Sequence, residues 1–192
     1  FRSLRHFQTL YPGIEVVLVS SDKKTDLITE GVDCLIRLGA LQDSSFISRR
    51  LGDIRMVTCA APSYLQQHER PETLADLDKH RAINFFSDHS RDVMEWKFIE
   101  NGSIVSLRPA GSLLVDNSDI LLSCALAGLG IIQAPYDAVA PHIASGALEE
   151  ILPQYPSVSK PVSVMYPDRR YLSPKVRVFI DWFSDVLATQ IR

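Results

Sequence analysis

The sequence has few of the features that mark secreted, membrane or zinc-binding proteins. It holds 3 cysteines in 192 residues, none of them in a C-x-x-C pair, which excludes a disulfide framework and a zinc site. No apolar run reaches the roughly 18 residues of a membrane-spanning helix, and no basic-then-apolar leader opens the chain. These absences predict a cytoplasmic protein with reduced thiols and no membrane contact.

An excess of basic residues is also missing. The chain has 20 Lys and Arg against 23 Asp and Glu, a formal net charge of −3. A protein that holds the DNA backbone needs a basic surface. We therefore expect that this chain does not bind DNA by itself. Hydrophobic residues at 46% and charged residues at 22% are typical of a soluble globular domain and exclude a disordered or fibrous chain.

Motifs of catalysis are absent as well. There is no G-x-S-x-G elbow, no H-E-x-x-H pair and no P-loop, and the five histidines lack metal-ligand spacing. The loop Ser87–Asp92 contains a hydroxyl, a histidine and two acids, but neighbours on one loop do not lock a nucleophile, a base and an orienting group together. Gly128-Leu129-Gly130 follows a helical pattern, so Gly128 is interpreted as a helix stop and not as part of a dinucleotide motif. We predict no catalytic residues, no metal and no cofactor.

Helical and extended patterns alternate along the chain, which predicts an α/β fold. An apolar, β-branched run at 14–19 predicts a strand buried in a parallel sheet, and Asn101-Gly102 between extended segments predicts a hairpin. The patterns place helices at 1–10, 26–30, 72–77, 119–127, 135–144 and 174–187, and further strands at 33–37, 46–51, 54–60, 82–86, 131–134, 148–152 and 162–165.

Two positions carry chemistry that suits a small ligand. Arg37 ends an apolar strand, where a guanidinium can bind a carboxylate, or can form a structural salt bridge with Asp22. Asn117 and Ser118 start a predicted helix, whose free N–H groups form an anion site or are satisfied by the cap alone.

Aromatic residues and one cysteine lie beside these positions in the predicted fold. Phe85, Phe86 and Tyr136 are candidates for the wall of a pocket, with core packing as the alternative for the two phenylalanines. Cys124 lies in the helix that follows Asn117, where a redox role requires exposure and a low pKa and buried packing requires neither.

The order of short sequence segments resembles the effector-binding domain of LysR-type transcriptional regulators. The matching segments are FQTLYPGIE at 7–15, DLITEGVDCLIRLG at 26–39, APSYL at 61–65, LDKH at 77–80, AGLGI at 127–131, GAL at 146–148 and LSPKVRVFID at 172–181. Within them, IRLG at 36–39 resembles the subgroup of the CrgA and D-malate regulators.

This resemblance implies two Rossmann-like lobes of the type 2 periplasmic-binding-protein fold. Regulatory lobe I then comprises 1–80 and 161–192, regulatory lobe II comprises 81–160, and 82–86 and 162–165 are two crossing hinge strands. In the family the effector lies in the cleft between the lobes. The effector contacts implied for this chain are Arg37, Phe85, Asn117, Ser118 and Tyr136.

The resemblance also implies partners. Family members pair their effector domains, so we expect a homodimer with Phe1, Leu4 and Phe7 of the first helix in the interface. The effector is expected to be a small organic acid, and DNA is expected to be bound only through an N-terminal helix-turn-helix domain that this chain lacks. The family's first strand also precedes Phe1, so the chain is expected to be a piece of a longer regulator. Alternatives are a stand-alone solute-binding protein of the same fold and an enzyme built on it.

Overall fold

The computed structural model of the protein describes residues 3–19, 31–39, 46–86, 92–167 and 172–190. These residues form five α-helices: α1 (Leu4–Leu10), α2 (Pro62–His68), α3 (Ser118–Leu126), α4 (Tyr136–Ala144) and α5 (Pro174–Gln190), with a 3₁₀ helix at Leu74–Lys79. The strands are β1 (Leu35–Leu38), β2 (Phe46–Ile54), β3 (Met56–Ala60), β4 (Ile83–Phe85), β5 (Trp96–Glu100), β6 (Ser103–Leu107), β7 (Leu113–Val115), β8 (Ile132–Pro135), β9 (Glu149–Glu150) and β10 (Lys160–Pro167). The α/β class is confirmed. The predicted helix at 26–30 lies outside the described residues.

The described residues divide into two units. Unit 1 contains those up to Ile54 and those from Lys160 onward, and unit 2 contains those from Arg55 to Ser159. The predicted second break, after residue 160, lies one residue from the observed one, after Ser159. The first break differs from the predicted one, after residue 80, because β3 pairs with β8 and β9 of unit 2.

The predicted crossing strands belong to single units. Residues 82–86 contain β4, which pairs with β7 in unit 2, and residues 162–165 lie in β10, which pairs with β1 and β2 in unit 1. Among the described residues, the chain instead passes into unit 2 between Ile54 and Arg55 and returns between Ser159 and Lys160.

Unit 1 contains a three-stranded antiparallel sheet in the order β1-β10-β2. The amphipathic pattern of α5 is confirmed, since Val176 and Ile180 pack with Val164 of β10 in one buried cluster. The Ser173 side chain caps α5 by accepting a hydrogen bond from the Val176 N–H over 3.4 Å. Burial of its apolar stripe against the sheet therefore fixes this helix.

The prediction of a buried strand at 14–19 is wrong. These residues form no strand, and Val17, Leu18 and Val19 are 78%, 55% and 68% exposed. Each described strand of unit 1 pairs antiparallel with another described strand of that unit, and none of these strands pairs with this segment. Apolar composition thus indicated a strand, but burial also requires a neighbouring strand to pair with.

Five strands of unit 2 follow one another side by side. β7 is parallel to β4, β8 is antiparallel to β3, and β3 is antiparallel to β9. A parallel bridge between Ala82 and Ile131 connects β4 to β8, with N–H···O bonds of 2.9 Å from Ile83 to Ile131 and from Ile131 to Arg81. The order is therefore β7-β4-β8-β3-β9.

Gly130 permits this connection. A Cβ at Gly130 would lie 2.4 Å from the carbonyl oxygen of Arg81, closer than any side chain tolerates. The neighbouring Gly128 has φ of +73° and ends α3, as predicted. The two glycines thus terminate a helix and bring β8 against β4.

The predicted hairpin is confirmed in unit 2. β5 and β6 pair antiparallel across Asn101 and Gly102, whose φ angles of 49° and 76° are those of a type I′ turn. Trp96 and Phe98 of β5 are buried in a cluster with Tyr64 of α2. A second buried cluster contains residues of β3, β4, β8, α3 and α4.

Candidate functional site

Three adjacent parallel strands of unit 2 end at one edge of the sheet. β7 ends at Val115, β4 at Phe85 and β8 at Pro135, and the Val115–Phe85 pair is in direct register. In α/β sheets, ligands bind beyond the carboxyl ends of such strands. We call the residues that follow these ends the carboxyl edge of unit 2; two helices, α3 and α4, begin there.

Asn117 and Ser118 lie on the carboxyl edge directly after β7. The Asn117 Oδ1 accepts hydrogen bonds from the N–H groups of Asp119, over 2.9 Å, and Ile120, over 3.0 Å. Asn117 therefore caps α3, and the cap uses its side-chain oxygen and not its Nδ2. Ser118 is exposed at the first position of α3.

Tyr136 opens α4 directly after β8 and contacts Arg55, the residue before β3. The Arg55 guanidinium carbon lies 4.5 Å from the centroid of the Tyr136 ring, and the Tyr136 N–H donates to the Arg55 carbonyl over 2.9 Å. The Arg55 Nη2 donates to both carboxylate oxygens of Glu150, over 2.8 and 3.1 Å. A cation–π contact and an ion pair thus hold the guanidinium. The Arg55 backbone lies at the edge, whereas Glu150 is in register with Cys59 and draws the side chain back along β3.

Phe85 is half-buried between Asn117 and Tyr136 in the order of strand ends. Its side chain packs on the buried cluster beneath the carboxyl edge, as does that of Tyr136. Its carbonyl accepts a hydrogen bond of 2.8 Å from the Met94 N–H. Phe85 therefore packs on the core and stays partly exposed. Four of the predicted contacts, Phe85, Asn117, Ser118 and Tyr136, lie on one edge.

The electrostatic field at the carboxyl edge has two opposing contributions. The N-termini of α3 and α4 present partial positive charge. Asp119 and Asp137, in the first turns of the same helices, carry negative charge that interacts with these N-termini. Since each helix end already has a carboxylate in its first turn, an anionic ligand needs a cation at the edge in addition to the helices.

Arg37 lies in unit 1, whereas the other four predicted contacts lie in unit 2. It is half-buried inside β1, opposite Ser163 of β10. Arg37 was predicted to end its strand, and β1 continues one residue further, to Leu38. Asp22, its alternative partner, lies outside the described residues. Its contact with an effector stays a prediction.

The first helix packs against its own unit. Phe7 is fully buried, with ring centroids 5.5 Å from Phe179 and 4.9 Å from Trp182 of α5. It therefore offers no surface to a second subunit, and any contribution of α1 to a dimer comes from other residues. Leu4 is half-buried, and Phe1 lies outside the described residues.

The thiols and acids of the described segments do not form a metal site. No group of three or more His, Cys, Asp or Glu side chains there has the arrangement to hold a metal ion. Burial, with the Glu150 charge as a smaller cause, raises the pKa of the Cys59 thiol to about 12, and burial, followed by the Asp33 charge, raises that of Cys34 to about 11. Such thiols react slowly. Cys124 is half-buried.

No helix within the described ranges is long and apolar enough to cross a membrane.

Sequence reasoning missed Arg55 and Glu150. The available signal was a charged residue inside the apolar run Ile54–Ala60. Their contact joins positions that are 95 residues apart, which local pattern does not reveal.

Comparisons with known proteins give a consistent family. The family model described as the LysR substrate binding domain matches residues 2–188. The HTH-type transcriptional activator AaeR of Escherichia coli is 40% identical over 176 residues, which are 91% of this chain and 56% of that protein. The HTH-type transcriptional repressor PA14_22550 of Pseudomonas aeruginosa is 36% identical over 185 residues, 96% of this chain and 58% of that protein.

A solved structure agrees with these relatives. The regulatory domain of CrgA, a LysR-type transcriptional regulator from Neisseria meningitidis, matches with a TM-score of 0.82 and 27% identity over 97% of this chain and 90% of that one. The chain spans less than two thirds of the length of the curated relatives that it matches.

Proposed function

Because the chain belongs to the LysR substrate-binding domain family, we propose that it senses a small anionic metabolite for a LysR-type transcriptional regulator. The observation that carries this proposal is the convergence of Phe85, Asn117, Ser118 and Tyr136 on the carboxyl edge of unit 2. Aromatic walls and two helix N-termini at one edge suit a small ligand with an apolar part and a negative charge.

The proposed output is a change in transcription. A ligand shifts a conformational equilibrium only if it binds one state more tightly than the other, and the shift is then transmitted to a DNA-binding module. This chain has a net charge of −3, so DNA contact is assigned to another part of the regulator. The relatives include a protein named as an activator and one named as a repressor.

Two finer assignments are part of the proposal. Membership of the subgroup of the CrgA and D-malate regulators is proposed from the segment IRLG at 36–39, and the likeness to CrgA supports it. Homodimerisation is proposed from the family. The names of the relatives favour regulation over the alternatives of solute transport and catalysis.

Calorimetric titration of the chain with organic acids tests the proposed ligand class. Suitable probes are malate, succinate and benzoate, each with its uncharged amide as the matched control of nearly equal shape. At least one acid should bind, with its amide about ten-fold weaker or worse, since hydrogen bonds to charged groups contribute about 1.5–3 kcal/mol. Equal affinity of acid and amide, or no binding by any acid, would contradict an anion-sensing role.

A further inference from the structure

We infer that Arg55 is a carboxylate contact of the effector and that Glu150 occupies its guanidinium when the effector is absent. This inference rests on the proposed function, because it assumes an anionic ligand at the carboxyl edge of unit 2. It adds two residues that belong to none of the predicted contacts. It also makes the ion pair between them an exchangeable part of the binding site.

The position of Arg55 places it on the carboxyl edge. Met56, the next residue, is in register with Pro135 at the end of β8, and the Tyr136 N–H bonds to the Arg55 carbonyl over 2.9 Å. Arg55 therefore lies one strand beyond Tyr136 and two strands beyond Phe85 in the order β4-β8-β3. With strands about 4.8 Å apart, the two-strand separation of about 10 Å is within the span of a small organic acid and an arginine side chain.

The guanidinium of Arg55 is oriented before any ligand arrives. The Tyr136 ring supports one of its faces at 4.5 Å, and this contact does not depend on Glu150. A planar donor group that is already held in place loses less conformational freedom on binding than a free side chain does. This arrangement suits recognition of a planar carboxylate.

The acidic side chains already at the carboxyl edge mean that an anionic ligand there needs a cation beside it. Asp119 and Asp137 lie in the first turns of α3 and α4 and interact with the positive ends of both helices. A carboxylate ligand would be repelled by these two acids unless a cation lay beside it. Arg55 supplies that cation from the adjoining strand.

Glu150 is chemically equivalent to the ligand group that we propose. Its carboxylate binds Arg55 as a ligand carboxylate would, and the side chains of Arg55 and Glu150 are 57% and 27% exposed. Solvent therefore reaches the pair, and an exposed ion pair contributes little net stability, so its replacement by an equivalent pair costs little. Glu150 thus acts as a competitor that sets how much effector is needed.

Three variants separate these roles, each titrated calorimetrically with malate, succinate and benzoate. Arg55→Met removes the charge but keeps an apolar side chain on Tyr136. Arg70→Met is the matched control, because Arg70 is also an exposed arginine of unit 2 and is paired with Glu149, the neighbour of Glu150. Glu150→Gln removes the competing charge but keeps the shape. Thermal midpoints of all three confirm that each variant is folded.

We expect Arg55→Met to weaken the acid that binds wild-type protein by about ten-fold or more. Arg70→Met should change the affinity for that acid by less than about two-fold, because it breaks only an exposed ion pair. Glu150→Gln should strengthen binding several-fold. Wild-type affinity in folded Arg55→Met overturns the inference but leaves the proposed function standing. Weaker binding in Glu150→Gln overturns the competitor role. If no acid binds wild-type protein, both the proposed function and this inference fail.

Discussion

At the scale of single residues, the contact between Tyr64 and the buried His80 makes unit 2 sensitive to pH. The Tyr64 hydroxyl lies 3.3 Å from His80 Nδ1 and accepts a hydrogen bond of 2.8 Å from the Arg81 N–H. His80 is 8% exposed, and the ring of His68 lies 4.5 Å from that of Tyr64. Burial, and then the positive charge that His68 can carry, lower the pKa of His80 below its ordinary value of 6.5.

Unit 2 should therefore lose stability in mild acid. As the pH falls through about 6.5, His80 in the unfolded chain takes up a proton before the folded one does, so protonation favours unfolding. The contribution of neutral His80 to the unfolding free energy should be fully present above that pH. It should be lost as the pH falls toward the pKa of His80 in the folded protein. His80→Gln keeps an acceptor for Tyr64 and removes the titration, so its thermal midpoint should fall less than that of wild type between about pH 7 and about pH 5.

His6→Gln is the control for this prediction, because His6 is exposed on α1. It should retain the wild-type dependence of the midpoint on pH. Identical pH profiles for His80→Gln and wild type would show that another group causes any loss of stability in acid.

Residues of the candidate site differed in how far the sequence could predict them. Asn117 and Tyr136 were found because a helix cap and a strand-to-helix transition leave local signals. Arg55 was missed because its partners Tyr136 and Glu150 are brought to it by strand pairing. Arg37 was predicted to end its strand, but it lies inside β1, which pairs with β10 from the other end of the chain. Its contact with an effector stays a prediction.

At the scale of elements, α3 depends on one side chain for its start. Asn117→Ala removes the acceptor for the Asp119 and Ile120 N–H groups and should cost about 1 kcal/mol in unfolding free energy. Asn117→Asp keeps an acceptor there, so its stability should stay within about 0.5 kcal/mol of wild type. Chemical denaturation measures both values.

The same two variants distinguish the cap from the ligand site. Asn117→Asp adds a negative charge at the carboxyl edge, so it should weaken the binding of an organic acid although its α3 is intact. If Asn117→Asp binds the acid as wild type does, Asn117 is a cap only and the effector lies elsewhere.

Helix ends and turns were predicted correctly where the type of a single residue determines them. The Asn101-Gly102 turn, the Ser173 cap and the Gly128 stop each formed where the residue type required it. The failed element was the strand at 14–19, since an apolar run specifies a preference for extended backbone and does not specify a pairing partner.

At the scale of the whole molecule, the LysR-family fold was predictable from the order of motifs, but the division between its units was not. The segment APSYL at 61–65 gave no sign of which unit it would join. Tyr64 packs with Trp96 and Phe98 of the hairpin, and Cys59 pairs with Glu150 of β9, so this part of the chain belongs to unit 2. Contacts across tens of residues decide such a boundary.

Unit 2 should fold without unit 1. Residues Arg55–Ser159 form one continuous segment that contains two buried clusters, and the strands β3 to β9 pair with one another. A polypeptide of this segment should give dispersed amide resonances and a cooperative thermal transition. The matched comparison is a polypeptide of residues 81–160, the predicted lobe, which lacks β3 and should not fold cooperatively. Collapsed resonances for 55–159 would show that it requires unit 1.

The exposed apolar segment Val17–Val19 also has a consequence for the behaviour of the chain at high concentration. Three adjoining β-branched or aliphatic residues, exposed and outside any strand among the described residues, are a template on which a second molecule can add a strand. Aggregation of the chain should therefore begin at this segment. Val17→Lys should slow the aggregation and leave the buried clusters of both units intact, because residue 17 is exposed.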